Sequence, residues 1–246
     1  MRCAVVAITK HGLALAGRVA AALPGARVFA PAKFAELAQR AAPGRAQCYE
    51  GKTGEQIPAL FAAFDAIVAI VSLGAVVRLI APHLRDKAQD PAVVVLDEAG
   101  RFVIPVLSGH LGGANALAGH LALALGATAV LTTASDARET LCVDLLGREL
   151  GWHFEASHDE IVHCSAAVVN DEPVALVQEA GSTDWWRGHA NGRSGPLPAN
   201  LVRLDRLEEA DPARYAALLW ITREGRAEDH PQWAGRRVIY RPPESP

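Results

Sequence analysis

Cysteine is scarce in this 246-residue chain, and its four copies, Cys3, Cys48, Cys142 and Cys164, stand far apart with no C-x-x-C pair. That spacing excludes a zinc knuckle, a redox dithiol and a disulfide framework, and predicts reduced thiols, most of them buried. Net charge is also small: 24 Lys and Arg against 27 Asp and Glu leave −3, with the signs interspersed. No basic stripe offers a nucleic-acid surface, so none is expected as a partner. Although 50% of the residues are hydrophobic, glycine, proline and charge interrupt every apolar run before the roughly 18 residues of a membrane span. The opening MRCAVVAITKHG has an apolar run too short and too early for a signal peptide and reads as a first strand. The expectation is a soluble, cytoplasmic protein that makes no use of a membrane.

Several catalytic signatures are missing as well. Gly51-Lys52-Thr53 imitates the end of a phosphate loop, but the required earlier glycine is Ala46, which argues against ATP. No G-x-S-x-G elbow surrounds a serine, no H-E-x-x-H supports a resident catalytic metal, and no G-x-G-x-x-G marks a dinucleotide site.

What is present is alternation. Apolar, β-branched runs at Cys3–Thr9, Arg27–Ala30, Ala66–Ser72, Ala92–Asp97, Phe102–Leu107 and Ala129–Thr133 predict strands. Helical spacing of leucine and alanine fills Leu13–Leu23, Phe34–Ala41, Gly54–Phe64, Ala75–Leu84, Ala114–Leu125 and Leu141–Leu150. Repeated β-α units predict an α/β protein with a mainly parallel, Rossmann-like sheet covered by helices on both faces. The turn Asp97-Glu98-Ala99-Gly100 between two strand runs predicts one antiparallel hairpin, so the sheet is mixed. After Gly151 the tryptophans concentrate and proline and charge rise. Short strands are predicted there at Ala166–Val169, Val174–Gln178, Leu218–Thr222 and Arg237–Tyr240, with Gly188–Asn200 as a loop and Arg241–Pro246 as a frayed tail. Residues 1–150 are therefore read as an α/β domain and 151–246 as a smaller α+β domain.

Strand-to-helix turns of an open α/β sheet gather N–H donors and positive helix ends, which suit carboxylates and phosphates. Three such stretches are candidates: Ser72-Leu73-Gly74-Ala75, Ser108 to Asn115 and Thr132 to Asp136. They are expected to form one pocket wall. The central stretch, Ser-Gly-His-Leu-Gly-Gly-Ala-Asn, is the most informative because Gly109, Gly112 and Gly113 permit positive φ and close backbone approach. Either it cradles an anionic ligand or its glycines let the next helix pack closely. His110 is its one group that titrates near neutral pH, and it reads as a general acid or base or as a structural histidine. Asp97 and Asp136 follow strand runs; each either faces the crevice and orients a histidine, or shapes a turn and caps a helix. Arg78, Arg85 and Lys87 either meet substrate carboxylates or are solvated surface charges. Trp185-Trp186 reads as a stacking platform or as packing.

The stretches Gly74–Pro82, Asp86-Lys87, Asp90–Val95, Leu107–Asn115 and Thr132–Asp136, with the opening Ala-Ile-Thr-Lys-His-Gly, resemble the cobalt-precorrin 5A hydrolase family of anaerobic cobalamin biosynthesis. Ala166–Pro173 looks like the start of that family's middle domain. The resemblance implies hydrolysis of the δ-lactone of a cobalt corrinoid with release of acetaldehyde, giving cobalt-precorrin 5B. It implies no cofactor and no protein metal site, since cobalt comes with the substrate. It puts His110 in the acid/base role with Asp97 or Asp136 orienting it, and the Gly112 and Gly113 amides or Asn115 on the oxyanion. Ser72, Gly74, Arg78, Lys87, Ser108, Gly109, Thr133 and Ser135 would line the substrate. Many relatives continue into a third, C-terminal domain and this sequence stops near the end of the middle one. A separate C-terminal-domain protein is therefore an expected partner, a corrinoid-binding subunit inactive alone is the alternative reading, and a homodimer is left open.

Overall fold

The computed structural model describes residues 1–86, 89–186 and 195–244. They fall into two compact units, Met1–Leu131 and Thr132–Pro246. Residues 132–150, expected with the first domain, group with the second.

The first unit carries seven strands: β1 (Cys3–Ala7), β2 (Arg27–Pro31), β3 (Ala46–Tyr49), β4 (Ala66–Ile70), β5 (Ala92–Leu96), β6 (Phe102–Leu107) and β7 (Thr128–Ala129). Its helices are α1 (Lys10–Ala22), α2 (Ala35–Ala41), α3 (Thr53–Ala63), α4 (Leu73–Ile80) and α5 (Ala114–Leu125). The sheet order is β3-β2-β1-β4-β5-β6-β7. Strands β1, β4 and β5 are buried at every position, as strands covered on both faces must be. Alternate residues serve the two faces. Cys3, Val5 and Ala7 pack with Leu13, Val19, Leu117 and Leu121 of α1 and α5. Ala4 and Val6 pack with Ile57, Leu60, Val76 and Ile80 of α3 and α4. No helix among the described residues is long and apolar enough to cross a membrane.

One reversal governs the layout of this unit. The five strands β1 to β5 are parallel, but β6 runs antiparallel to β5, with Val93 opposite Leu107 and Leu96 opposite Val103. The expected hairpin turn is present, and Gly100 supplies the positive φ (+67°) that closes it. Strand β7 then runs parallel to β6. The carboxyl ends of β4 and β5 thus lie at one end of the sheet and that of β6 at the other.

The second unit is built from α6 (Ala134–Ala137), β8 (His153–Glu155), α7 (His158–Val169), β9 (Val174–Gln178), β10 (Leu201–Leu204), β11 (Ala217–Ile221) and β12 (Arg237–Arg241). Its sheet order is β10-β9-β11-β12-β8. Four of those strands are parallel and only β8 is antiparallel, so the expected α+β texture is corrected to a second, mainly parallel sheet. The run Ala166–Val169 is not a strand but the end of α7, whose start is fixed by Ser157 and Glu160 in a reciprocal capping box. The predicted helix Leu141–Leu150 is also corrected. It is replaced by two short 3₁₀ turns because Gly147, at φ +74°, breaks it and lies against Trp152; a Cβ there would come 2.1 Å from the ring. Trp185 and Trp186 are buried edge to face at 6.2 Å, which makes them packing residues. Residues 188–194 of the predicted loop, and the last two of the predicted tail, lie outside the described residues.

Candidate functional site

Of the three stretches expected to form one wall, the two in the first unit lie at opposite ends of its sheet. Ser72 and Gly74 start α4 at the carboxyl end of β4, and Asp97 follows β5 at that same end. Ser108 follows β6, whose last residue pairs with the beginning of β5. The length of β5, about 15 Å at roughly 3.3 Å per residue, separates Asp97 from the turn that holds His110. Thr133, Ser135 and Asp136 belong to the second unit, and Lys87 lies outside the described residues.

Asp97 is corrected from a partner of His110 to a former of the hairpin. Its Oδ1 accepts the backbone N–H groups of Arg101 at 2.8 Å and Phe102 at 2.7 Å, while Oδ2 meets Arg101 Nε at 3.4 Å. Burial works against its charged form, but the amide donors of Phe102 and Arg101 and the Arg101 guanidinium outweigh it and hold the carboxyl below the usual carboxylate range. A carboxylate so stabilised is a poor base. Arg78 is similarly committed, donating from Nη1 to the Gly74 carbonyl one turn back at 3.1 Å.

The glycine-rich turn is a tight, self-closed structure. Ser108 has φ +55°, rare for a residue with a side chain. Gly112 folds back over it: a Cβ on Gly112 would come 2.4 Å from Ser108 Cβ and 2.7 Å from its carbonyl oxygen. Gly109 faces the Asn115 amide, where a Cβ would lie 2.8 Å from Oδ1. Gly113 enters α5 in the left-handed region at φ +86°. The N–H groups of Gly113, Ala114 and Asn115 donate to the carbonyls of His110, Ser108 and Gly109 at 2.9, 3.2 and 2.9 Å. Gly113, expected as an oxyanion donor, therefore spends its N–H inside the turn. Gly112 is the expected backbone donor that this internal ladder does not consume. His110 is half-buried at the centre of the turn.

In the second unit, Thr133 precedes α6 and its hydroxyl donates to the Asp136 carboxylate. Ser135 is buried, with its hydroxyl accepting from the Cys142 thiol at 3.2 Å and its carbonyl accepting the Thr140 N–H at 2.9 Å. Among the described residues no group of three or more His, Cys, Asp or Glu is arranged to hold a metal ion.

Sequence reasoning passed over Thr9, Glu98 and Asp90. The Thr9 hydroxyl donates to the Glu98 carboxylate and accepts the Gly12 N–H that opens α1, at the carboxyl ends of β1 and β5. Asp90 anchors the loop before β5 through both carboxylate oxygens, which accept the Arg85 N–H at 3.0 and 3.2 Å. The Asp-Pro pair immediately before a strand is the signal that marks it.

This architecture defines an α/β protein of two sheet-centred units, the first presenting a glycine-rich strand-to-helix turn with a histidine at its centre. Residues 55–136 match the family described as Cobalamin synthesis G N-terminal, and residues 141–242 match the Cobalamin biosynthesis central region. The chain belongs to this cobalamin biosynthesis G family and carries its N-terminal and central regions. It is 40% identical over 239 residues to the cobalt-precorrin-5A hydrolase of Priestia megaterium, covering 97% of this chain and 62% of the relative. With the protein of that name from Salmonella typhimurium it shares 36% identity over 181 residues, which is 74% of this chain and 49% of the relative. The chain thus spans about half to three-fifths of the length of these relatives. A cobalamin biosynthesis protein G homolog from Sulfolobus solfataricus superposes with a TM-score of 0.49 at 18% identity, over 98% of this chain and 60% of that one.

Proposed function

We propose that the chain acts in cobalamin biosynthesis as a cobalt-precorrin-5A hydrolase, opening the δ-lactone of the corrinoid and releasing acetaldehyde to give cobalt-precorrin 5B. The observation that carries this reading is the 40% identity over 97% of the chain to the relative of that name.

In this reaction one water is consumed and one acetaldehyde leaves. Water adds to the lactone carbonyl, and collapse of the tetrahedral oxyanion breaks the ring C–O bond, leaving a carboxylate and an alcohol on a two-carbon unit. Loss of the alcohol proton then forms the aldehyde C=O as the C–C bond to the ring breaks, and the macrocycle takes up the electron pair. His110, in a turn that holds it in one place, serves as the acid/base group, while the Gly112 N–H, which the turn's backbone bonds do not use, is the oxyanion donor, with the Asn115 side chain facing Gly109 beside it. Ser108 and Gly109 frame the substrate edge, while Asp136, which accepts the Thr133 hydroxyl, and Ser135 belong to the second unit. Cobalt enters as part of the substrate, and the reaction runs in the cytoplasm.

The test is to incubate the purified chain with cobalt-precorrin 5A and measure acetaldehyde with a coupled alcohol dehydrogenase while following the corrinoid spectrum. Stoichiometric acetaldehyde with the spectral change supports the reading. A corrinoid-induced spectrum without acetaldehyde, with release appearing only when the remaining C-terminal region of a relative is added as a separate protein, supports a binding subunit instead. Neither signal, with or without that addition, contradicts both.

A further inference from the structure

Beside the glycine-rich turn the first unit holds a cavity of about 260 Å³ whose wall includes Phe61, Pro82, His83, Arg85, Gln89 and Asp90. It lies where the loop after α4 returns to the start of β5. The Ser108 hydroxyl donates to the Asp90 carbonyl at 2.9 Å, so the turn is bonded to a residue of the cavity wall. Its chemistry is divided. Phe61 and His83 stand ring to ring at 6.1 Å, tilted by 53°, and prolines 58, 82 and 91 add to the apolar part of the lining. Arg85 brings a cation to the same lining. The acid in the wall, Asp90, is buried with both oxygens accepting the Arg85 backbone N–H. Among the described residues no hydrogen bond or ion pair engages the Arg85 guanidinium or a His83 ring nitrogen, although both line the cavity.

We infer that this cavity is a subsite for a carboxylate-bearing side arm of the macrocycle, with Arg85 taking the carboxylate, His83 assisting and the Phe61 face covering the arm's methylenes. The inference rests on the corrinoid reading above and names which part of the ligand enters here. Size decides for an arm over the ring: whole small-molecule pockets run from roughly 300 to 1,000 Å³, and this cavity falls below that range. Arg85 suits the role because a guanidinium meets a carboxylate through two parallel N–H donors. An arm seated here would bring the ring edge toward Ser108.

The experiment measures binding of two probes to the full chain by visible absorbance: cobyrinic acid, whose arms are free carboxylates, and cobinamide, whose arms are amidated. The wild type is expected to prefer the free acid, and Arg85→Gln to lose about tenfold in affinity for it while holding cobinamide unchanged. Arg85→Lys should recover part of the loss. Because Arg85 is exposed on a loop, the variant should keep the wild-type melting temperature, and side-chain amide NMR shifts of Gln89 on adding cobyrinic acid localise the contact independently. A wild type that binds neither probe overturns both the corrinoid reading and the subsite. A wild type that binds both equally, or an Arg85→Gln variant with unchanged affinity for cobyrinic acid, overturns the subsite alone.

Discussion

The Ser108 hydroxyl donates to the Asp90 carbonyl at 2.9 Å, joining the residue after β6 to the residue two before β5. Eighteen positions apart in sequence, they meet because the hairpin folds β6 back along β5. The bond ties a positive-φ serine to the loop that walls the adjacent cavity, so turn and cavity hold one geometry.

Gly112 is the residue that this turn can least replace. In Gly112→Ala the new methyl would collide with Ser108 Cβ and its carbonyl, and both are held in place. Urea unfolding should show a loss of about 1–3 kcal/mol. Gly119→Ala, in the middle of α5 with open space around it, should instead gain about 0.5–1 kcal/mol. Equal effects for the two substitutions would contradict the described packing.

Asp97 should matter for stability and not for turnover. Asp97→Ala removes the carboxylate oxygen that accepts two backbone N–H groups and is expected to cost about 1–2 kcal/mol at pH 7, with acetaldehyde release within twofold of wild type. Its folded carboxyl titrates below the unfolded value near ~4. The stabilisation is therefore complete above about pH 4 and is lost as pH falls through the folded value. The gap in unfolding free energy between wild type and Asp97→Ala should shrink between pH 5 and pH 3. A gap that widened there, or a hundredfold loss of turnover, would return Asp97 to the site.

Much of this layout was legible in the sequence. The runs of valine and isoleucine in β4 and β5 marked fully buried strands, and the bounds of β6 and α5 coincide with those expected from periodicity. The hairpin at Asp97 was also legible, yet the three polar stretches were still assigned to one wall. An antiparallel strand carries its carboxyl end to the opposite edge, and that consequence separates Ser72 and Asp97 from Ser108. Strand β3, AQCY, escaped because only Tyr49 of its four residues is buried, which leaves no apolar alternation to read. Ala166–Val169 looked like a strand since a short apolar run is ambiguous between strand and helix. The capping box at Ser157 and Glu160, nine residues earlier, was the deciding signal. The closed hydrogen bonding that removes Gly113 from the oxyanion donors depends on backbone angles no spacing reveals.

The cysteines should differ sharply in reactivity. Burial pushes the Cys3 and Cys164 thiols up to about 12, and Cys142 is buried as well, while Cys48 is exposed. At pH 8 a disulfide reagent should modify one thiol rapidly in the native protein and the remaining three only after denaturation, since the thiolate is the attacking form. Rapid reaction of two or more thiols in the native state would contradict this burial pattern.

The most direct measurement is acetaldehyde release from cobalt-precorrin 5A in a single turnover, comparing wild type with His110→Ala under conditions where both bind the corrinoid. An acid/base role at the centre of the Ser108–Asn115 turn predicts a fall of roughly 10²–10⁴ in rate with binding retained. A His110→Ala variant that releases acetaldehyde at the wild-type rate would contradict it.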